Sequence, residues 1–157
     1  MANMRKFLLI GDGSEESAAA ARYAAHRANN TGGKVAVLAV IEPTTVEPWL
    51  GVGETMRREA MEEAEAALES LAEDIEGVTG ERPELLVREG EAIHCIRKLI
   101  EDDESISILV LGSAVKGDGP GPLVTSLSRG RGLFGERAIP VTVVPGDLSE
   151  ETIKALT

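Results

Sequence analysis

Short unbroken apolar runs alternate along this chain with longer stretches in which apolar residues recur every three or four positions. Lys6–Ile10 (KFLLI) is the first run, and Gly11-Asp12-Gly13-Ser14 breaks it. An unbroken run of this length between turn residues reads as a strand buried on both faces. Ser14 then precedes two glutamates and an alanine-rich stretch to Ala28. Ser is a strong N-cap, and early acids suit the positive end of a helix dipole, so a helix is expected here. Asn29-Asn30 should end it and Gly32-Gly33 close it. Lys34–Ile41 (KVAVLAVI) is a second strand, stopped by Pro43. A loop containing Trp49 leads to a long helix expected over Gly53–Glu76. Its apolar face is Met56, Ala60, Ala64, Ala67, Leu68, Leu71 and Ile75, and Gly77 and Gly80 mark its end.

The second half repeats the alternation. Pro83–Arg88 reads as an edge strand, because proline is tolerated at edges. Glu91–Glu101 reads as a helix with Ile93, Ile96, Leu99 and Ile100 inward, and Ser107–Leu111 as a fourth strand ended by Gly112-Ser113. A Gly/Pro-rich loop, Lys116–Pro122, precedes a helix expected from Leu123 to about Phe134, with Pro122 at the first turn, where its missing N–H costs nothing. Ile139–Val144 is the fifth strand. The order βαβαβαβαβ predicts a doubly wound α/β domain: a parallel sheet with helices on both faces. Residues 1–146 make that domain and residues 147–157 a short tail able to form a terminal helix.

Composition narrows the function. The chain has 157 residues, enough for one domain with a real core. Aromatics are only 3 %, so the core must be aliphatic. A net charge of −11 argues against a nucleic-acid partner, whose phosphates it would repel. Cys95 is the single cysteine, so no intrachain disulfide can form, and no Cys/His cluster has zinc spacing. Met1–Lys6 lacks the apolar run of a signal peptide, and no segment is long and apolar enough to span a bilayer. The expected setting is cytoplasmic, with no membrane partner and no bound metal.

In an open parallel sheet, ligands bind beyond the carboxyl ends of the strands, where strand order reverses. That edge carries Asp12 and Gly13, then Val40, then Gly112 and Ser113. Asp12 suits a ribose hydroxyl or a turn; the glycines suit close approach of a ligand or a tight turn. Both readings stand on spacing alone. His94 and Cys95 are neighbours on a helix and point apart, so they are not a nucleophile pair. His94 is expected to be exposed and Cys95 buried, and His26 is expected on a helix surface without a partner. Ser128, close to Thr125 and Ser126, offers a modifiable hydroxyl that nothing in the sequence demands. No catalytic carboxylate pair, metal cluster or triad is visible. A phosphoryl-receiver domain would need a lysine where Pro145-Gly146 stands.

Lys6–Ser14 (KFLLIGDGS), Val37–Pro43 (VLAVIEP), Glu89-Gly90 before a helix, Ser107–Gly112 (SILVLG) and Ile139–Pro145 (IPVTVVP) together resemble the universal stress protein family. The resemblance covers nearly the whole chain. It implies strand order 3-2-1-4-5, the adenine nucleotide alpha hydrolase-like arrangement, and a stress-responsive regulatory or binding protein rather than a dedicated enzyme. It implies a homodimer through the last strand, with Ile139, Val141 and Val143 at the interface. Members that bind ATP carry Gly, two residues, Gly, nine residues, then Gly-Ser or Gly-Thr after the fourth strand. Here Gly112 stands, but Val115 and Thr125 occupy the other two glycine positions. The resemblance places the nucleotide against Asp12, Gly13, Val40, Gly112, Ser113, Thr125 and Ser126. The altered loop favours a branch without classical ATP binding, with Lys116, Arg129 or Arg131 as sources of positive charge for a shifted anion site. The alternative is an adenine-nucleotide binder, for ATP or AMP with magnesium, that hydrolyses slowly or switches on binding.

Overall fold

The computed structural model describes residues 5–43, 53–117, 119–127 and 134–157. Trp49, Ser128, Arg129 and Arg131 lie outside them. Five parallel strands form one sheet in the order β3-β2-β1-β4-β5. In chain order the elements are β1 (Lys6–Ile10), α1 (Glu15–Thr31), β2 (Lys34–Ile41), α2 (Gly53–Thr79), β3 (Glu84–Glu89), α3 (Ala92–Asp102), β4 (Ile106–Ser113), α4 (Pro122–Leu127), β5 (Val141–Pro145) and α5 (Glu150–Leu156).

Chirality explains the layering. The first two crossovers step one way along the sheet, and the last two step the other way. Right-handed connections then require the two helix pairs to cover opposite faces. Phe7, Leu9, Val35, Val37 and Ala39 meet α1 and α2, while Leu8, Ala36, Leu38, Leu109 and Leu111 meet α3 and α4. β4 breaks strict alternation. The register of β4 on β1 slips between Lys6, opposite Ile106, and Phe7, opposite Ile108, which leaves Ser107 as an extra residue. Ile106 therefore packs toward α3, whereas Ile108 packs toward α1.

α1 packs on the sheet through small residues. Ser14 caps it, accepting from Ser17 N at 3.1 Å, and Gly32 closes it in the left-handed conformation (φ 71°). Its fully buried face is Ser17, Ala19, Ala20, Ala21, Ala24, Ala25 and Ala28, so small side chains let it pack near the strands. It comes close at the end of β4, where a Cβ on Gly112 would run into the backbone carbonyl of Glu16.

Several boundaries differ from the sequence expectation. β5 begins at Val141, not Ile139. Pro140 has no N–H for the ladder, although its carbonyl accepts from Leu109 N at 3.0 Å. Helix α4 covers only Pro122–Leu127 within the described residues, and Phe134 packs on the α3 side outside any helix. α2 continues through Gly77 to Thr79, and Gly80 (φ 77°) ends it. Only Leu68, Leu71, Ala72 and Ile75 of α2 are buried; Met56 is 40 % exposed, because the first half of the helix stands over the strand ends rather than the sheet. His26 has a partner after all: its Nε2 lies 2.7 Å from Glu150 Oε1, and Arg22 Nε is 3.4 Å from the other oxygen. These contacts and buried Ile153 seat α5 on α1. His94 is exposed and Cys95 buried, as expected.

At the opposite edge of the sheet, Lys6 Nζ bridges Glu84 and Asp103, at 2.8 Å each. Partial burial works against the Lys6 charge, but the two hydrogen-bonded carboxylates outweigh it and raise its pKa. The same hydrogen bond, followed by those from Ser105, lowers the pKa of Asp103. A lowered carboxyl pKa stabilises the fold above its unfolded value and loses that effect as pH falls toward the folded one. Asp103→Asn should therefore reduce stability at neutral pH and flatten the loss of stability below about pH 4. Urea unfolding across that range measures both; an unchanged acid limb would show that the bridge contributes nothing.

Gly112→Ala should destabilise by about 1–3 kcal/mol through overpacking against Glu16. Gly77→Ala is the control, since a Cβ there meets nothing within 4 Å. That substitution should stabilise by about 0.5–1 kcal/mol through helix propensity. Equal effects in urea unfolding would refute the packing argument.

Candidate ligand cleft

β1 ends where its ladder makes one last bond, Gly11 N to Leu38 O at 2.9 Å. A Cβ on Gly11 would lie 2.6 Å from Leu71 Cδ1, so glycine lets α2 close over the strand end. The chain then turns through Gly13 at φ 80°, a conformation a side chain resists. Asp12 fixes that turn: its Oδ1 accepts from Ser14 N at 2.9 Å and from Ser14 Oγ at 2.5 Å. Ser14 in turn holds the first turn of α1. Asp12 is thus both exposed and pre-oriented, which reconciles its turn-capping and ligand-facing readings.

Beyond this turn a cleft of about 450 Å³ opens between the ends of β1 and β2 and the starts of α3 and α4. Ile10, Val40, Ile93 and Leu123 give it apolar walls; Asp12, Glu42, Glu91 and Ser126 give it polar ones. On the far side of Asp12 and Val40 a second hollow of about 260 Å³ lies under α2, against Ala60, Glu63, Ala64 and Ala67. Among the described residues, no group of three or more acids, histidines or cysteines is placed to hold a metal ion.

Of the residues singled out from sequence, Asp12, Val40 and Ser126 meet in the cleft. Gly13 shapes its rim without lining it. Gly112 is turned against α1, and Ser113, whose carbonyl accepts from Gly146 N at 2.9 Å, does not line the cleft. The Thr125 hydroxyl donates to Gly121 O at 2.8 Å, just before α4, and that of Ser126 to Pro122 O at 2.9 Å, so both back-bond onto the start of the helix. The loop before α4 follows its own path. Val115 is 48 % exposed, no non-glycine residue among those described has positive φ, and the left-handed positions fall at Gly117, Gly119 and Gly121 instead. α4 starts with Pro122, which offers the cleft no N–H.

Glu42, Glu91, Ile93 and Leu123 were not legible as cleft residues. Their sequence neighbourhoods read as a strand exit and two helix starts; the pairing of β2 with β3 brings Glu42 to Glu91 and Ile93, and that of β4 with β1 brings Leu123 to them. Another hollow, of about 290 Å³, lies by Lys6, Lys34 and Arg82 at the opposite edge. Each of these cations already faces a carboxylate: Lys6 faces Glu84 and Asp103, Lys34 faces Glu81, and Arg82 faces Glu69. The described helices include none long and apolar enough to cross a membrane.

The Universal stress protein family model matches residues 3–145. Comparison with curated proteins finds no match. Among solved structures, the chain is similar to universal stress protein UspA from Lactobacillus plantarum, with TM-score 0.68 and 16 % identity over 92 % of this chain and 99 % of that one. It is similar to a universal stress protein family protein from Arabidopsis thaliana with AMP bound, with TM-score 0.62 and 16 % identity over 90 % and 91 % of the two chains. It is also similar to a universal stress protein in complex with cAMP, with TM-score 0.62 and 14 % identity over 93 % and 100 %. At such identities these structures speak for the fold, whereas the family model spans nearly the whole sequence: the chain belongs to the universal stress protein family.

Proposed function

We propose that this chain is a stress-responsive regulatory protein that binds an adenine nucleoside or its monophosphate, rather than ATP through the family's glycine loop. The observation that carries this reading is the cleft that gathers Asp12, Val40 and Ser126 at the strand ends. The backbone of Val40 would meet the adenine. The Asp12 carboxylate uses Oδ1 for its turn, and lone pairs on its second oxygen suit a ribose hydroxyl. The phosphate side is poorly provided. Val115 and Thr125 replace two motif glycines, Pro122 removes a donor, and Gly112 is committed to α1. Relatives carrying AMP or cAMP support a small nucleotide. Residues 1–146 would form the family domain with α5 as an addition to it. The cytoplasm suits its free, buried cysteine.

A homodimer is part of this reading. β5 is an edge strand, and edges left open invite pairing with a second copy. Val143 is 39 % exposed on it, whereas Val141 and Ile139 pack partly against the α3 side. Val143 is therefore the residue on which such a contact would centre.

Two experiments test the proposal. Calorimetric titration with adenosine, AMP and ATP, with and without magnesium, should show saturable binding of adenosine or AMP and at least tenfold weaker ATP. Asp12→Ala should weaken the bound species by about tenfold or more, the loss of a charge-assisted hydrogen bond. Tight ATP binding abolished by Asp12→Ala would instead mark family-type ATP binding. In light scattering, the wild type should have twice the chain's mass and Val143→Glu the mass of one chain; identical masses would overturn the β5 contact.

A further inference from the structure

The chain that leads into β5 is stitched to the end of α3 by one guanidinium. Arg137 Nη1 donates to Ile100 O at 2.8 Å and to Asp103 O at 3.3 Å, and its Nη2 donates to Glu104 O at 3.0 Å and to Ile106 O at 2.6 Å. The first of these carbonyls belongs to the last turn of α3, where a helix leaves acceptors unpaired and favours a cation. The last opens β4, ahead of the first ladder bond to β5, from Leu109 N to Pro140 O. A side chain therefore takes the place that β5 is too short to fill. Glu101 adds a second stitch, its Oε1 accepting from Glu136 N at 3.2 Å. Phe134 and Ile139 press on the α3 side of the sheet. β5 needs this support: its five residues pair with one neighbour, and Val144 alone among them is buried. The ladder bonds of Pro140 and Gly146 go to β4. Thr142 and Val144, between them, share that direction, so Val141 and Val143 aim their N–H and C=O groups at the open edge. A strand held on one side by few contacts opens locally unless its entrance is fixed.

We infer that Arg137 is the positioning residue of the β5 contact: by fixing the entrance of β5 on α3 and β4, it keeps the open edge ordered for a second copy of this chain. The inference rests on the reading of β5 as the dimer edge and deepens it. A frayed strand must be ordered before it can pair, so the apparent affinity falls with the fraction of chains whose edge is formed. Arginine suits this place because its planar fork reaches several acceptors at once, whereas lysine is a point charge on a flexible stem. Arg82, just before β3 at the other edge of the sheet, makes an exposed pair with Glu69 and is the internal control.

The test is light scattering of the full chain over a dilution series for the wild type, Arg137→Lys, Arg137→Ala and Arg82→Ala. Circular dichroism checks that each variant is folded, and the lysine variant carries the test if the alanine one does not fold. The dimer dissociation constant should rise at least about tenfold in Arg137→Ala, through loss of hydrogen bonds from a charged group, and about threefold in Arg137→Lys. Arg82→Ala should leave it unchanged. Amide hydrogen exchange, read in the Val143→Glu background to remove pairing, separates local from global effects. There Arg137→Ala should cost Thr142 and Val144 at least about tenfold in protection, and Leu8 and Leu9 of β1 less than about threefold. Equal losses in β5 and β1 would reduce Arg137 to a general stabiliser and overturn the inference. So would a dissociation constant unchanged in both Arg137 variants of a dimeric wild type, which would leave the β5 contact standing. A wild type with the mass of one chain would overturn the β5 contact itself, and the inference with it.

Discussion

A right-handed crossover cannot be laid on both faces of a sheet while the chain keeps moving in one direction along it. The whole architecture follows from that constraint. The chain builds outward from β1 to β3 under α1 and α2, then must return to the other side of β1 to place β4 and β5. Its direction reverses, so α3 and α4 cover the opposite face. β1 and β4 become neighbours whose following segments leave in opposite directions, and the space between them cannot be closed by a connection. The cleft at Asp12 opens beside this gap, over the ends of β1 and β2, and its other walls are the starts of α3 and α4.

Within this frame, packing and ligand chemistry compete for the same small residues. Alanines let α1 settle close to the strands, and Gly112 completes the fit by offering no Cβ to Glu16. A glycine at a strand exit invites a phosphate-binding reading, yet here its small size is used by a helix backbone. The loop that follows keeps its glycines in left-handed positions at 117, 119 and 121, not at the motif positions 115 and 125. Electrostatics point the same way, since the cleft walls contribute Asp12, Glu42 and Glu91.

The sheet was legible because each buried strand is a short aliphatic run bounded by Gly, Pro or Asp, and such runs have few other uses in a domain this size. Lys34–Ile41 coincided with its strand, and Ser14 was recognisable as a cap from its type and the acids behind it. The misses have local causes. Ile139 and Pro140 share the apolar character of the strand they precede, and only the missing proline N–H separates them. The first half of α2 has a helical apolar stripe, but periodicity does not tell whether a sheet lies beneath it. His26 and Glu150 are 124 positions apart, and Glu42 meets Ala92 only through strand register. Contacts of that kind belong to the assembled sheet and leave no mark in either segment alone.

The extra residue in β4 reaches further than its position suggests. Counted in twos from Ile106, which faces α3, position 112 would carry its hydrogen into the layer that holds the cleft. Ser107 shifts the count by one, so Leu109 and Leu111 feed that layer and Gly112 looks toward Glu16. An irregularity at the entrance of the strand thereby decides, about 17 Å away along the rise of an extended chain, which layer its last glycine faces.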